Sequence, residues 1–287
     1  MLNLLIVIIL GIIQGITEWL PVSSTGHMLL FEDLLPLRNV TPAYRDLFMV
    51  VIQFGSILAV LVLFWNKLWP FGKQKTPEEK KSTWNLWGKV LVAAIPAAII
   101  GLLLDSVISD YIYGKNIVKC AVIAGTLVLY GVAFIVVERV LKGKRDRVET
   151  LSELSYRDPL LIGCFQVLAL IPGTSRSGAT IVGARTLRIS RPAAAEFSFF
   201  LAIPVMFGAS ALKIGKYFLV DHLTVTGGEV GLLLVGMAVA FLVSLLAIRF
   251  LMAFVRRHSF EPFGWYRIGL GAAVILYMVF RYIRYIV

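Results

Sequence analysis

Long apolar runs separated by short polar segments dominate the chain. Six of these runs reach the roughly 17 mainly apolar residues that a bilayer-crossing helix needs. They cover residues 47–65, 86–104, 117–137, 197–212, 230–248 and 265–280. The pattern predicts an all-α polytopic membrane protein with six full transmembrane helices.

Two further apolar stretches, residues 2–13 and 160–171, are too short to span a bilayer. Each is followed by a polar, glycine-bearing loop and then by another short segment. This pattern is typical of a re-entrant helical hairpin, which enters the membrane and leaves on the same side. We therefore predict two hairpins, over residues 1–40 and 159–190.

The two predicted hairpins repeat each other in sequence. GIIQGITEWLPVSSTG, residues 11–26, aligns with GCFQVLALIPGTSRSG, residues 163–178, and the alignment keeps Gln14 and Gln166 in register. The chain is therefore predicted to consist of two repeats, residues 1–138 and 139–287. Each repeat holds one hairpin and three spans.

Composition supports the membrane prediction, and charge orients it. The chain has 287 residues, of which 59% are hydrophobic and 16% charged, so an ordinary soluble domain is excluded. The net charge of +11 does not indicate nucleic acid, because the basic residues are concentrated in short loops between apolar runs. Such loops face the cytoplasm.

The basic loops lie after the first and third predicted spans, whereas the turn at residues 105–115 carries two acids and one lysine. The basic loops are predicted to be cytoplasmic and the turn to lie outside. The first hairpin then enters from outside and the second from the cytoplasm, so the repeats have inverted topology. Inverted repeats with broken helices place their irregular loops face to face near the membrane midplane.

The second loop, PGTSRSG, carries groups that suit phosphate. Arg176 offers a planar fork of donors that matches phosphate oxygens. Glycines let a backbone turn its N–H groups toward an anion, and hydroxyl groups add donors. The candidate phosphate-binding residues of this loop are Gly173, Thr174, Ser175, Ser177 and Gly178. Close helix packing is the alternative for Gly173, Ser177 and Gly178, but an arginine at membrane depth is costly and usually functional.

The first loop supplies a carboxylate beside this cradle. Gln14 and Glu18 are one helical turn apart and share a face. A carboxylate and a carboxamide suit a hard cation such as Mg²⁺ or Ca²⁺ that takes its other ligands from water and substrate. Glu18 could instead relay protons or pair with Arg176.

Hydroxyl groups and a histidine follow in the same loop, PVSSTGH. Ser24 is a candidate nucleophile with His27 as its base, because a serine is inert at neutral pH without such a partner. A phosphohistidine at His27 and attack by metal-bound water are the alternatives, and His27 could also act only as a capping residue. Thr25 and Gly26 are further candidates for binding phosphate. Glu196 is expected to pair with an arginine such as Arg191, and no chemistry is assigned to it.

QGITEWLPVSSTGH and PGTSRSGAT strongly resemble the two signature motifs of the bacterial undecaprenyl pyrophosphate phosphatase family, which also confers bacitracin resistance. The resemblance extends through VIQFGSILAV, GCFQVLAL and AAEFSFFLAIP to nearly the whole chain. Many members carry Glu where this chain has Gln14, so Glu18 is the main carboxylate.

The resemblance implies an enzyme of the bacterial inner membrane that hydrolyses undecaprenyl pyrophosphate to undecaprenyl phosphate. This reaction recycles the lipid carrier for peptidoglycan synthesis. The resemblance also implies dependence on a divalent cation. The predicted topology opens the site to the extracytoplasmic side, and the sequence leaves open a homodimer.

A transporter or flippase of polyprenyl phosphate is the rival function, because transporters share inverted repeats and broken helices. The sequence argues against a passive carrier. Arg176, a hydroxyl nucleophile, His27 and a carboxylate together supply the roles that phosphoryl transfer requires.

Overall fold

A computed structural model describes residues 1–108 and 116–286 of the chain. The described residues are mainly helical. The helices are α1 (Leu2–Thr17), α2 (Ser24–Leu34), α3 (Pro42–Leu63), α4 (Trp65–Leu68), α5 (Pro77–Ile108), α6 (Asn116–Val140), α7 (Arg157–Val167), α8 (Arg176–Thr186), α9 (Arg191–Gly215), α10 (Gly227–Val255) and α11 (Glu261–Ile286).

Within the described ranges, six helices are long and apolar enough to cross a membrane: α3, α5, α6, α9, α10 and α11. The predicted all-α polytopic fold and its six spans are therefore confirmed. Most of the helices extend beyond the predicted ends, as α5 shows by beginning at Pro77 with Glu78 and Glu79 in its first turn. α3 is the exception at one end, since it ends at Leu63, two residues before the predicted end. Acidic residues stabilise a helix start although they lower its hydropathy. The predicted outside turn at residues 105–115 falls largely outside the described residues.

Two pairs of short helices correspond to the predicted hairpins. The side chain of Asn3, at the start of α1, exchanges hydrogen bonds with the backbone of Arg38, after α2, at 2.8 and 3.0 Å. In the second pair, Arg147 bonds Asp158 at the start of α7 and the carbonyl of Leu187 after α8. These contacts close the base of each hairpin. The re-entrant path of the hairpins through a bilayer stays a prediction.

Each hairpin packs against a long helix of the other half of the chain. α1 lies on α10, and α7 lies on α5. A Cβ atom on Gly11 would be 2.9 Å from the carbonyl oxygen of Gly236, and one on Gly163 would be 2.3 Å from that of Ala93. Small residues allow this close approach of helix backbones. The aligned glycines of the two repeats thus have the same packing role, whereas the division of the chain at residue 138 stays a prediction.

The bases of the two hairpins lie at opposite ends of the helix bundle. α3 runs from one of these ends to the other. Near its start, Arg45 donates to the carbonyl of Leu37, beside the base of the first hairpin. Beyond its other end, Lys67 pairs with Glu196 at 2.5 Å. We call this second end the basic end. It also holds the base of the second hairpin, because Arg185 of α8 bonds Glu138 near the end of α6.

Ion pairs at the basic end correct one expectation. Glu196 pairs with Lys67 of α4, whereas Arg191 pairs with Glu138 at 2.6 Å, so the predicted pairing of Glu196 with Arg191 is wrong. The Glu138 side chain is only 2% exposed and also accepts from Arg185 at 3.1 Å. A buried carboxylate needs such partners. Glu138 therefore joins the second hairpin to α6 and α9.

Candidate active site

The loop after α1 and the start of α8 meet in the interior of the bundle. The Ser177 hydroxyl donates to the backbone carbonyl of Glu18 at 3.3 Å, and Arg176 Nη2 lies 3.4 Å from Glu18 Oε1. The side chains of Arg176 and Glu18 are 10% and 9% exposed. The structure thus brings together residues of the two motifs that are far apart in sequence.

Both loops enter their second helix through the same local structure. Ser23 and Ser175, the N-cap residues of α2 and α8, have positive φ angles of 74° and 69°. Their hydroxyl groups accept hydrogen bonds from the backbone N–H groups of Gly26 and Gly178 at 3.3 and 3.2 Å. Serine is a favoured N-cap because its oxygen satisfies an otherwise unpaired N–H of the first turn. The two helix starts are therefore built alike and both lie beside Glu18.

The Glu18 carboxylate is the centre of the site. Its Oε2 accepts from Gln14 Nε2 at 3.0 Å and from the Ser24 hydroxyl at 3.2 Å, while Oε1 faces Arg176. The carboxylate therefore lies between the candidate nucleophile and the candidate cation. Its contact with Arg176 agrees with the alternative role of structural partner.

Arg176 is held from two further sides. Its Nη1 donates to the carbonyl of Ser198 in α9 at 2.7 Å, and its guanidinium lies 5.6 Å from the centre of the Trp19 ring. Its Nε is buried and has no hydrogen-bond partner among the described residues. The guanidinium is thus fixed in position, and its Nε is the nitrogen that has no partner among the described residues.

His27 is hydrogen-bonded at both ring nitrogens. Nδ1 lies 2.8 Å from the carbonyl oxygen of Ser23, and Nε2 lies 2.7 Å from the hydroxyl of Tyr266. The carbonyl can only accept, so Nδ1 carries a proton. In this arrangement the Ser24 hydroxyl bonds Glu18 and not His27. The predicted role of His27 as the base stays a prediction.

Arg267 of α11 is a central residue that the sequence prediction missed. It is fully buried, and its guanidinium donates to the carbonyls of Pro21, Gly173 and Thr174 at 3.3, 2.9 and 2.9 Å. It therefore joins the first loop directly to the second. The available signal was an arginine inside a predicted span, since such residues are rarely tolerated in a membrane without a function. Tyr266 carried no comparable signal.

Several candidate phosphate-binding residues have structural contacts. Gly173 has a φ of +86°, and a Cβ there would lie 2.3 Å from Thr126 Oγ1. A Cβ on Gly178 would lie 3.1 Å from Arg267 Nη1, and one on Gly26 the same distance from Leu127. These contacts agree with the alternative of close packing. Binding of phosphate by the predicted residues Thr25, Gly26, Gly173, Thr174, Ser175, Ser177 and Gly178 stays a prediction.

Buried polar atoms without partners surround the meeting point of the loops. In the described part of the chain they include Gln14 Oε1, Trp19 Nε1, Thr174 Oγ1 and Arg176 Nε. Buried polar groups in proteins are normally hydrogen-bonded, so each of these atoms calls for an explanation. Ordered water or a polar ligand bound between the loops would supply partners of this kind.

The residues present fit one divalent cation that is bound partly by substrate. No cluster of three or more His, Cys, Asp or Glu residues occurs in the described ranges. Gln14 Oε1 is nevertheless buried without a partner, one helical turn from the Glu18 carboxylate. Mg²⁺ is commonly held by one or two protein oxygens together with water and phosphate oxygens.

Comparison with known proteins finds similarity along nearly the whole chain. Residues 7–273 match the family model described as bacitracin resistance protein BacA. The chain is 50% identical over 277 residues to an undecaprenyl-diphosphatase of Enterococcus faecalis, covering 96% of this chain and 97% of the relative. It is 52% identical over 279 residues to an undecaprenyl-diphosphatase of Acetivibrio thermocellus, with coverage of 97% and 99%.

Proposed function

The chain belongs to the bacitracin resistance protein BacA family, and we propose that it hydrolyses undecaprenyl diphosphate to undecaprenyl phosphate and inorganic phosphate. The relatives at about half identity are undecaprenyl-diphosphatases that match it over nearly their full length. This reaction recycles the lipid carrier of peptidoglycan synthesis, and by consuming the diphosphate form it confers bacitracin resistance.

The assignment of this reaction to the two loops rests on one observation. The Glu18 carboxylate contacts the Ser24 hydroxyl through one oxygen and the Arg176 guanidinium through the other. Cleavage of a phosphoric anhydride needs a nucleophile, a proton acceptor and a cation that stabilises charge on the phosphoryl group. Ser24, Glu18 and Arg176 supply these three groups, and they lie side by side.

The proposed first step begins at Ser24. Its oxygen attacks the terminal phosphorus, its proton passes to Glu18 Oε2, and the bond to the bridging oxygen breaks to release undecaprenyl phosphate. In the second step water attacks the phosphorus of the phosphoserine and loses a proton to solvent, and the bond between phosphorus and the Ser24 oxygen breaks. The proton held on Glu18 returns to the Ser24 oxygen, inorganic phosphate leaves, and the free enzyme is restored. Glu18 is favoured as the first proton acceptor because the Ser24 hydroxyl already donates to it at 3.2 Å.

His27 remains the alternative partner in this chemistry. A rotation of the Tyr266 side chain would free Nε2 of His27. This nitrogen would then be an unprotonated acceptor, because Nδ1 of His27 holds the proton. His27 could then take the proton of Ser24 or of the water in the second step. Attack on the phosphorus by His27 itself, or by water, is a further alternative.

Arg176 and the two helix starts are proposed to hold the phosphoryl group. The first N–H groups of α2 and α8 have no partner within their helices, and a helix start favours an anion. Arg176 supplies the fixed cation, with its unpartnered Nε and with Nη2 released from Glu18 by the arriving phosphate. The predicted loop residues then complete the cradle.

A divalent cation is proposed to bind at Glu18 and Gln14. When bound there it would neutralise charge on the diphosphate oxygens. The amide oxygen of Gln14 supports this proposal because it is buried without a hydrogen-bond partner in the described chain. A neutral amide binds a cation more weakly than a carboxylate would. Substrate oxygens must therefore contribute to binding of the cation.

We further propose that the site takes its substrate from the extracytoplasmic leaflet. The base of the first hairpin lies at the end of the bundle opposite the basic end, as the contacts of Arg45 and Lys67 indicate. Basic loops face the cytoplasm. The loop that carries Ser24 would thus be reached from outside in a bacterial inner membrane. A homodimer stays a prediction.

Release of inorganic phosphate tests the function. The purified protein in detergent is given undecaprenyl diphosphate with Mg²⁺, and phosphate is measured over time. The wild type and Arg257→Ala, which loses an exposed arginine of the basic end, are expected to release phosphate, whereas Arg176→Ala is expected to release almost none. A lipid flippase without phosphatase activity would release none in any variant, and that result would overturn the proposal.

A further inference from the structure

A groove at the basic end lies between the ends of α3 and α10, beside α4 and the start of α9. The groove has a volume of about 220 Å³. Leu63, Phe64, Ile248 and Met252 form its apolar wall. None of these residues belongs to the loops that carry Ser24 and Arg176, so the groove is separate from the candidate active site.

The polar rim of the groove is strongly basic. Lys67, Arg249 and Arg256 line it together with a single acid, Glu196. Glu196 is already paired with Lys67 at 2.5 Å. The rim therefore has an excess of positive charge that its own acid does not neutralise, and this charge is complementary to an anionic ligand.

Aromatic side chains indicate the depth of the groove in the membrane. Trp65 and Trp69, on either side of Lys67, stack with their ring centres 4.8 Å apart and are 49% and 41% exposed. Phe71 continues the row and contacts Trp84. Tryptophan is enriched at the headgroup level of a bilayer. The groove therefore lies where lipid headgroups meet acyl chains, in the leaflet at the basic end.

We propose that the groove binds the headgroup of an anionic glycerophospholipid from this leaflet. Arg249 and Arg256 would hold the phosphate, with Lys67 at the edge, and the acyl chains would lie along Leu63 and Met252. Basic pockets between transmembrane helices on the cytoplasmic side are known to take anionic headgroups. The exposed side chains of Leu246 and Phe250 continue the apolar surface along α10. This proposal is independent of the reaction at Ser24.

Native mass spectrometry of the full chain tests the proposal. The purified protein in detergent is titrated with phosphatidylglycerol, and in parallel with phosphatidylcholine of the same acyl chains. The wild type is expected to retain phosphatidylglycerol in preference. Arg249→Gln with Arg256→Gln should weaken that retention on the order of 30-fold, since each of the two basic residues near anionic lipid contributes about 1 kcal/mol.

Two further variants make the result specific. Arg257→Gln removes one positive charge from an exposed position next to Arg256 that does not line the groove, and it should bind as the wild type does. Met252→Trp keeps every charge but fills the apolar wall, and should also weaken retention. Phosphatase activity in lipid-free detergent checks that each variant is folded.

Three results would overturn the proposal. Equal retention of phosphatidylcholine would show that charge has no role in binding. Equal binding by the double variant and Arg257→Gln would locate the lipid elsewhere. In a third titration, with undecaprenyl phosphate, retention of that lipid but not of phosphatidylglycerol would assign the groove to the reaction product.

Discussion

Ser23 and Ser175 adopt the same left-handed backbone conformation, with φ angles of 74° and 69°, and each caps the helix that follows it. The two residues are also equivalent in the aligned repeats of the sequence. Two copies of one loop therefore face each other across Glu18. The first copy contributes the Ser24 hydroxyl after its cap, whereas the second contributes the Arg176 guanidinium at the equivalent position.

The first prediction concerns this shared conformation. In Ser175→Ala the cap is lost and the strain of a positive φ remains, whereas Ser175→Gly loses the cap but relieves the strain. We expect the alanine variant to be about 1 kcal/mol less stable than the glycine variant. Thermal unfolding in detergent measures the difference. Equal stability of the two variants would show that backbone strain at this position is not significant.

The second prediction concerns the geometry of Arg176. Its guanidinium bonds the Ser198 carbonyl while facing Glu18, an arrangement that a single ammonium group cannot reproduce. We expect Arg176→Lys and Arg176→Ala both to lower kcat by a factor of about 10² to 10³. Steady-state phosphate release measures the loss. A lysine variant with near-normal turnover would contradict the requirement for a planar fork.

The third prediction concerns Glu18 and the divalent cation. EDTA is expected to abolish activity of the wild type. Glu18→Gln should lower kcat because the proton acceptor is lost, and it should shift the dependence on Mg²⁺ to much higher concentration. Gln14→Glu restores the carboxylate that many family members carry and should shift the dependence to lower concentration. Full activity of Glu18→Gln in chelator would leave Glu18 with a structural role only.

The fourth prediction concerns Arg267. Arg267→Met leaves the carbonyls of Pro21, Gly173 and Thr174 buried without their donor. We expect it to lower the free energy of unfolding by roughly 3 kcal/mol, because each unsatisfied buried carbonyl costs about 1 kcal/mol or more. Thermal unfolding measures the loss, and Arg257→Met, at an exposed position, is the control. An Arg267→Met protein as stable as this control would show that the arginine does not hold the loops together.

The sequence predicted the spans well because apolar length is the physical requirement for crossing a bilayer. All six occur in the described residues. Most of the helices are longer than the predicted spans, as at the start of α5, because polar residues such as Glu78 and Glu79 extend a helix into water without adding hydropathy. The hairpin helices were predicted from shorter apolar runs and from the repeated motif.

The candidate site was predicted in part. Local motifs identified Glu18, Ser24 and Arg176, but the contacts between them depend on how the two halves pack together. Arg267 and Tyr266 come from α11 and are more than two hundred residues from the first loop in sequence. No spacing rule links positions so far apart. The partner of Glu196 was predicted wrongly for the same reason, since Lys67 reaches it only through the packing of α3 on α9.

Trapping the phosphoryl group during a single turnover tests the central claim most directly. Undecaprenyl diphosphate labelled at its terminal phosphate is mixed with excess enzyme, quenched in acid, and the adduct is mapped by mass spectrometry. The account predicts an acid-stable phosphoserine at Ser24 that is absent from Ser24→Ala. An acid-labile adduct that persists in Ser24→Ala would transfer the attack to His27, and the absence of any adduct, with phosphate still released, would assign it to water.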